Sequence, residues 1–472
     1  MVLVIVCAGV VLASLDLFIV NVALPDIARD LHERSVGDLS WILNAYAIVY
    51  ASLLVLFGRL SESRRRENGF LLGVLVFTAA SAACGAATSL TMLVAFRVVQ
   101  AAGAALLTPT SLSLVLATSA PGKRQSSVRA WTAIGGLAAA LGPVVGGLLV
   151  AASWRWVFYV NVPIGLAALA LGWRRLPRVP GHPVPRPDAL GAVLVTAGVG
   201  ALTLGLVKGN AWGWGSPQTI VTLAAAVVAI GLFALNCATA RNPLIDASLF
   251  RIRAFTGSSA VALLFSIAFG AMLLSLVLWC QDVWGWSALQ TGLGVAPGPL
   301  MVPLFSFLVA GRMIARYGPG RVIAAGATIY AAGATWWTLR AGLDPNYVGQ
   351  MLPGMLMTGI GVGLTLPTFM STGASSLPPH SLATGSAVVN MLRQVGLAIG
   401  VAVLVAVLGT PATPSAAVSA FQDGWIVIAA TALLSAATGA VLLRPRPQLG
   451  RARESARWSG AAATPPALPE QR

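Results

Sequence analysis

Fourteen runs of about 18–25 mostly apolar residues follow one another between Val2 and Leu443, each long enough to cross a bilayer as a helix. They fall near 2–24, 40–58, 69–87, 91–117, 129–151 and 157–173. The series continues at 189–207, 218–239, 255–279, 290–314, 321–340, 348–370, 383–409 and 424–443. Backbone amides in hydrocarbon find no water to bond, so such runs must become helices packed on one another. Only 9% of the 472 residues are charged, against about 25% in soluble domains. The expected class is an all-α polytopic membrane protein with 14 transmembrane helices.

The net charge of +16 does not point to nucleic acid, because Lys and Arg are scattered through short loops with no contiguous basic face. Their positions orient the chain instead. Of the 30, 23 fall on one side of the spans, five on the other, and two, Arg97 and Arg393, within spans. The richer side is expected to be cytoplasmic, with both termini inside. Trp41, Trp154, Trp156, Trp212, Trp214, Trp279, Trp284, Trp286, Trp336, Trp337 and Trp425 fall at the opposite ends, where an aromatic belt would lie. The first apolar run exceeds signal-peptide length, so no cleavable signal is read. Residues 444–472 are rich in Pro and Arg and read as a disordered basic cytoplasmic tail.

Two basic turns open alike. Gly58-Arg59 leads through Glu62 to Arg66 between spans 2 and 3, and Gly311-Arg312 leads to Arg321 between spans 10 and 11. Matching them aligns spans 1–6 with spans 9–14 and leaves spans 7 and 8 as an inserted pair. The expected division is 1–173, 174–254 and 255–443. Related halves are a common plan of secondary transporters.

Polar residues inside the apolar runs carry the functional reading. Asp16 is the only acid there, nine residues before Pro25 and too deep to reach the interface easily. A charge at that depth costs about 2.5–3.5 kcal/mol on insertion scales, so it needs a partner, a wet cavity or a proton. Arg97 lies at similar depth in span 4, within reach of Asp16, with Gln100 three residues on. Asn21 follows Asp16, and Asn44 and Tyr46 in span 2 are candidates to line a cavity. In span 5, Gly142, Pro143, Gly146 and Gly147 interrupt a helix in mid-membrane; Gly142 and Gly146 form a small-xxx-small pair that admits a neighbour closely. In span 13, Arg393 reads first as a structural residue helped by Asn390 and Gln394, and second as a substrate contact. His32, His182 and His380 lie in loops, and the four cysteines have no ligand spacing, so no metal site is read. No phosphate-cradling loop occurs, which argues against ATP as the energy source.

These stretches together resemble the major facilitator superfamily, in particular its fourteen-helix drug:proton antiporter branch. LDLFIVNVALP at 15–25 resembles that branch's first-helix signature, and RVVQAAGAA at 97–105 the fourth-helix motif, with Ala101 where Gly is usual. LGPVVGG at 141–147 is similar to the fifth-helix antiporter motif, and WRWVFYVNVPIG at 154–165 is typical of the branch. The 2–3 loop departs, with Glu62 in place of Asp and Arg65 in place of Gly, which touches its usual gating contacts. The resemblance implies two six-helix bundles around a central cavity, with the inserted pair outside. It also implies a monomer in a bacterial inner membrane that exports small lipophilic compounds in exchange for protons. The proton gradient would supply the energy, with no cofactor. An exporter of an endogenous metabolite or lipid is the nearest alternative. A membrane-embedded enzyme or receptor is remote, because an enzyme needs several convergent polar groups.

Overall fold

The computed structural model describes residues 2–443 except 34, 64, 121–123, 181–187 and 378–381. The expected tail at 444–472, His182 and His380 lie outside the described residues, and so does the side chain of Glu62. Among the described residues there is helix and no strand. Among the described residues, thirteen helices are long and apolar enough to cross a membrane: α1 Val2–Asp30, α2 Val36–Ser63, α3 Arg66–Gly85, α4 Leu90–Thr118, α6 Trp156–Arg175, α7 Ala189–Trp212, α8 Pro217–Thr239, α9 Arg253–Val283, α10 Ala288–Tyr317, α11 Pro319–Arg340, α12 Tyr347–Ser375, α13 Leu382–Leu408 and α14 Pro414–Leu442. The fourteenth, α5 Arg124–Val150, carries a shorter apolar stretch, Ile134–Val150.

Helix starts are set by side chains that bond otherwise orphaned backbone amides. Ser89 accepts from the Met92 amide, Asp188 from Gly191, Ser216 from Thr219 and Thr413 from Ala416, opening α4, α7, α8 and α14. Ser287 and Gln290 form a reciprocal capping box at the start of α10. Several helices outrun the apolar runs that announce them. Pro25 lies inside α1, which continues to Asp30, and α9 extends by a π turn, Trp279–Val283, that includes Asp282.

Packing repeats along the chain. α1 packs on α5 as α9 packs on α13, and α3 packs on α4 as α11 packs on α12. The glycines repeat too. A Cβ at Gly146 would stand 2.9 Å from the Ile19 carbonyl oxygen, and one at Gly396 of α13 would stand 2.5 Å from that of Leu263 on α9. The two sets meet along α2 with α13 and along α5 with α10. The α7–α8 pair lies against α2 and α13 through α7, where Lys208 pairs with Asp38 and Asn210 donates to the Ala406 carbonyl. Most of α8 is exposed, as suits a lipid-facing helix.

The expected aromatic belt needs correction. Trp154, Trp279, Trp284, Trp337 and Trp425 are buried rather than belted at the surface. Trp279 stacks edge-on against Trp425 at 4.9 Å between ring centroids, and Trp425 lies 6.2 Å from Trp337, so these indoles form a core cluster of the carboxy-terminal half. Indoles join helices well where several meet, because each buries a large area. Asp16 remains the only acid inside the apolar runs, and a second enclosed acid lies just outside them. Glu67, in the first turn of α3, is buried and accepts from the Val179 amide at 2.9 Å.

Candidate functional site

The deepest polar cluster forms where α1, α2, α3, α4 and α6 converge. Arg97 and Gln100 are three residues apart on α4 and therefore share one face. Arg97 Nη1 donates to Asp16 Oδ2 at 2.5 Å and to Gln100 Oε1 at 2.7 Å. Gln100 Nε2 donates to Asp16 Oδ1 at 2.8 Å and to Ser81 Oγ at 2.7 Å. Asn161 Nδ2 reaches the same Asp16 oxygen at 3.3 Å. Arg97 Nε donates to the Ile42 carbonyl at 3.1 Å, and its guanidinium carbon stands 4.1 Å from the centre of the Tyr46 ring. Asp16, Arg97, Gln100, Ser81 and Asn161 are each 0% exposed.

Both carboxylate oxygens thus accept, and the one positive charge beside them comes from Arg97. A buried pair of this kind is strongly destabilised when one partner is removed, by about 3–5 kcal/mol, because the other is left uncompensated. The cluster also holds bonding capacity that this arrangement does not use. Arg97 Nη2, Asn161 Oδ1 and the Tyr46 hydroxyl are buried without a partner. Protonating Asp16 would remove the charge attraction and turn one acceptor into a donor, so Arg97 and Gln100 would have to find other acceptors.

The candidate residues separate into groups. Tyr46 joins the cluster. Asn21 bonds the Leu17 carbonyl and Asn44 bonds Ser40, each within its own helix. Asn44 and Tyr46 are buried and line no open cavity, because helix packing closes over them. Gly142 and Gly146 face α1, where a Cβ at Gly142 would stand 2.7 Å from Phe18 Cβ. Gly147 faces α10, where a Cβ would stand 2.7 Å from the Ala288 carbonyl oxygen. Pro143 sits within α5, with its carbonyl against Gly292 of α10. The glycine stretch therefore contacts the Asp16 helix on one side and the other half of the protein on the other.

In the 2–3 loop, Gly58 packs near Pro109, and Arg66 reaches the Ser113 carbonyl at 3.5 Å while its amide donates to Val179. Asp246, before α9, is held below the usual carboxylate range by the Ser248 amide it accepts from, with a smaller contribution from Arg59. In α13, Arg393 Nε donates to Asn390 Oδ1 at 2.9 Å, while Gln394 is buried with its Oε1 unpartnered. Asn161 and Ser81 escaped the sequence reading. Asn161 stands alone in an apolar stretch, as Asn44 does, and that signal could have found it; Ser81 is too ordinary in a membrane helix to stand out.

The sequence description of the Major Facilitator Superfamily matches residues 6–401. The chain belongs to the major facilitator superfamily. Among curated relatives of this transporter is the tetracenomycin C resistance and export protein of Streptomyces glaucescens, 33% identical over 84% of this chain and 74% of that one. The cephamycin export protein CmcT of Amycolatopsis lactamdurans is 34% identical over 93% of this chain and 92% of that one. Among solved structures, an auto-inhibited POT family peptide transporter superposes with a TM-score of 0.69 at 17% identity, covering 95% of this transporter and 98% of that chain. At that identity the likeness is one of fold.

Proposed function

We propose that this transporter exports small lipophilic compounds, antibiotics among them, from the cytoplasm in exchange for protons, with Asp16 as the proton carrier. The relatives support the export reading, since their names record antibiotic resistance and export. The observation that supports Asp16 is its enclosed ion pair with Arg97. A proton arriving at Asp16 competes directly with Arg97, and the fifth-helix glycines run from the Asp16 helix to the opposite half, so the two events share one packed unit. Alternating access then follows from two halves that meet along α2 with α13 and α5 with α10. The charge bias of the loops supports cytoplasmic termini, and the bacterial sources of the relatives support a bacterial plasma membrane. No cofactor is invoked, and the transporter is taken to act as a monomer.

The test uses inside-out membrane vesicles energised to an acidic lumen. Addition of a transported antibiotic should release lumenal protons in a protein-dependent way. Antibiotic accumulation with no proton release would argue against coupling, and no accumulation of any compound in a broad panel would argue against export.

A further inference from the structure

Two arginines, Arg97 and Arg393, fall inside the apolar runs rather than at their ends, and their surroundings are opposite. Arg97 is enclosed, ion-paired and bonded to a carbonyl and an amide oxygen. Arg393 is half-buried, about 16 Å along α13 from its first residue. Its Nε is taken by Asn390, and none of the described ion pairs includes it. The terminal nitrogens Nη1 and Nη2 bond no described residue, yet they are not sealed in as orphaned atoms. Arg393 is thus partly exposed at mid-membrane depth, with an outer edge that no described residue occupies.

The place of that edge matters. Asn390 and Arg393 stand beside the hydroxyl of Tyr50, which belongs to α2 of the opposite half. The Tyr50 hydroxyl shares a hydrogen bond of 2.8 Å with Thr108 of α4, which anchors the ring. Arg393 is thus a cation at the seam between the halves, surrounded by neutral hydrogen-bonding groups. A guanidinium at this depth is costly unless an anion or several acceptors complete its shell. Its free edge offers two parallel N–H donors, the geometry that a carboxylate accepts in a fork.

We propose that Arg393 is an anion-recognition residue of the transport cavity and that the preferred cargo is a lipophilic carboxylate. The proposal rests on the export reading and names the substrate class of that transporter. Asn390 holds the guanidinium by its Nε, leaving the outer fork for the ligand, and Tyr50 brings the ligand into contact with the opposite half. A carboxylate bound there neutralises the one membrane-buried cation that the described residues leave unpaired.

The experiment uses the full chain in phosphatidylcholine nanodiscs, which contain no anionic lipid, with tritiated 1-naphthaleneacetate and its uncharged amide as probes. Wild-type protein should bind the carboxylate at least about ten-fold more tightly than the amide. R393Q should bind both probes with the amide's affinity, and R393K should retain a reduced preference for the carboxylate. Carboxylate binding that appears only when phosphatidylglycerol is added would assign the site to anionic lipid and overturn the proposal. So would a wild-type protein without preference, an R393Q protein that keeps it, or equal loss of both probes in R393Q. Should R393Q fail to fold, R393K decides: selective weakening of the carboxylate supports the proposal, and unchanged or equally weakened binding overturns it. Binding is read without a gradient, so the outcome is separable from the export reading. A carboxylate preference in a protein with no proton-driven transport would keep Arg393 as an anion site but overturn the export reading, and with it the carboxylate's role as cargo.

Discussion

The Asp16 carboxylate and the Arg97 guanidinium meet at 2.5 Å across 81 residues of chain, and neither side chain is exposed. Gln100 braces the pair by accepting from Arg97 and donating to Asp16. A proton on Asp16 would break this arrangement at its centre. Asp16→Asn should therefore abolish proton-driven accumulation in inside-out vesicles while antibiotic binding stays within about three-fold of wild type. The variant leaves Arg97 buried without its counter-charge, at a cost of about 3–5 kcal/mol. Asp16→Asn with Arg97→Gln should recover much of that stability, read as a melting temperature, and should remain uncoupled. Uphill transport by Asp16→Asn at the wild-type rate would remove Asp16 from the coupling mechanism.

Gly146 and Gly136 make a matched pair on α5. A Cβ at Gly146 would press on the Ile19 carbonyl oxygen of α1, whereas one at Gly136 would meet nothing within 4 Å. Gly146→Leu should stop transport with protein still in the membrane, since overpacking costs about 1–3 kcal/mol and forces α5 off α1. Gly136→Ala should leave transport unchanged, and helix propensity would favour it by up to about 1 kcal/mol. Normal efflux from Gly146→Leu would show that close approach of α5 to α1 is not needed. Quantifying membrane-inserted protein by immunoblot separates lost activity from lost expression.

Much of this was legible in the sequence, and the limits have a physical reason. Apolar run length announces a membrane helix because the bilayer sets the length, and depth along a helix follows from residue count. Asp16 and Arg97 could be matched because both are ionisable and at similar depth. Azimuth and helix neighbours are not written in one sequence. Asn21 and Asn44 share the polarity of Asn161, but only Asn161 sits on a helix face turned to Asp16. Indoles near helix ends suit a lipid interface or a helix junction equally, and the packing of α9, α11 and α14 decided for the junction at Trp279, Trp337 and Trp425. Glu67 was missed because its partner, the Val179 amide, comes from a loop 112 residues away.

Orientation rests on the arginine and lysine bias, 23 against five. A phosphatase reporter fused after Leu443, active only outside the cytoplasm, should be silent, and a fluorescent protein that folds only in the cytoplasm should be bright. The opposite pattern would invert the topology or change the parity of the spans. The same fusion after Gly213, in the turn between α7 and α8, should reverse both readings.

The charges inside the membrane limit the charge of the cargo. In the described membrane interior, the Asp16 charge is already matched by Arg97, and Arg393 adds a positive charge with no acid beside it. A dication in the cavity would need two negative charges or strong solvation, and desolvating an unmatched charge is far costlier than burying a matched one. Neutral, zwitterionic, anionic and singly cationic compounds escape that cost wholly or in part. In a pump-deficient bacterium, this transporter should therefore export singly charged ethidium more strongly than doubly charged propidium, read as the rate of fluorescence loss from preloaded, energised cells. Propidium efflux equal to or faster than ethidium efflux would sink the charge argument. If that efflux also vanished in Asp16→Asn, the proton site would survive, and the cavity would have to admit enough water to solvate the second charge.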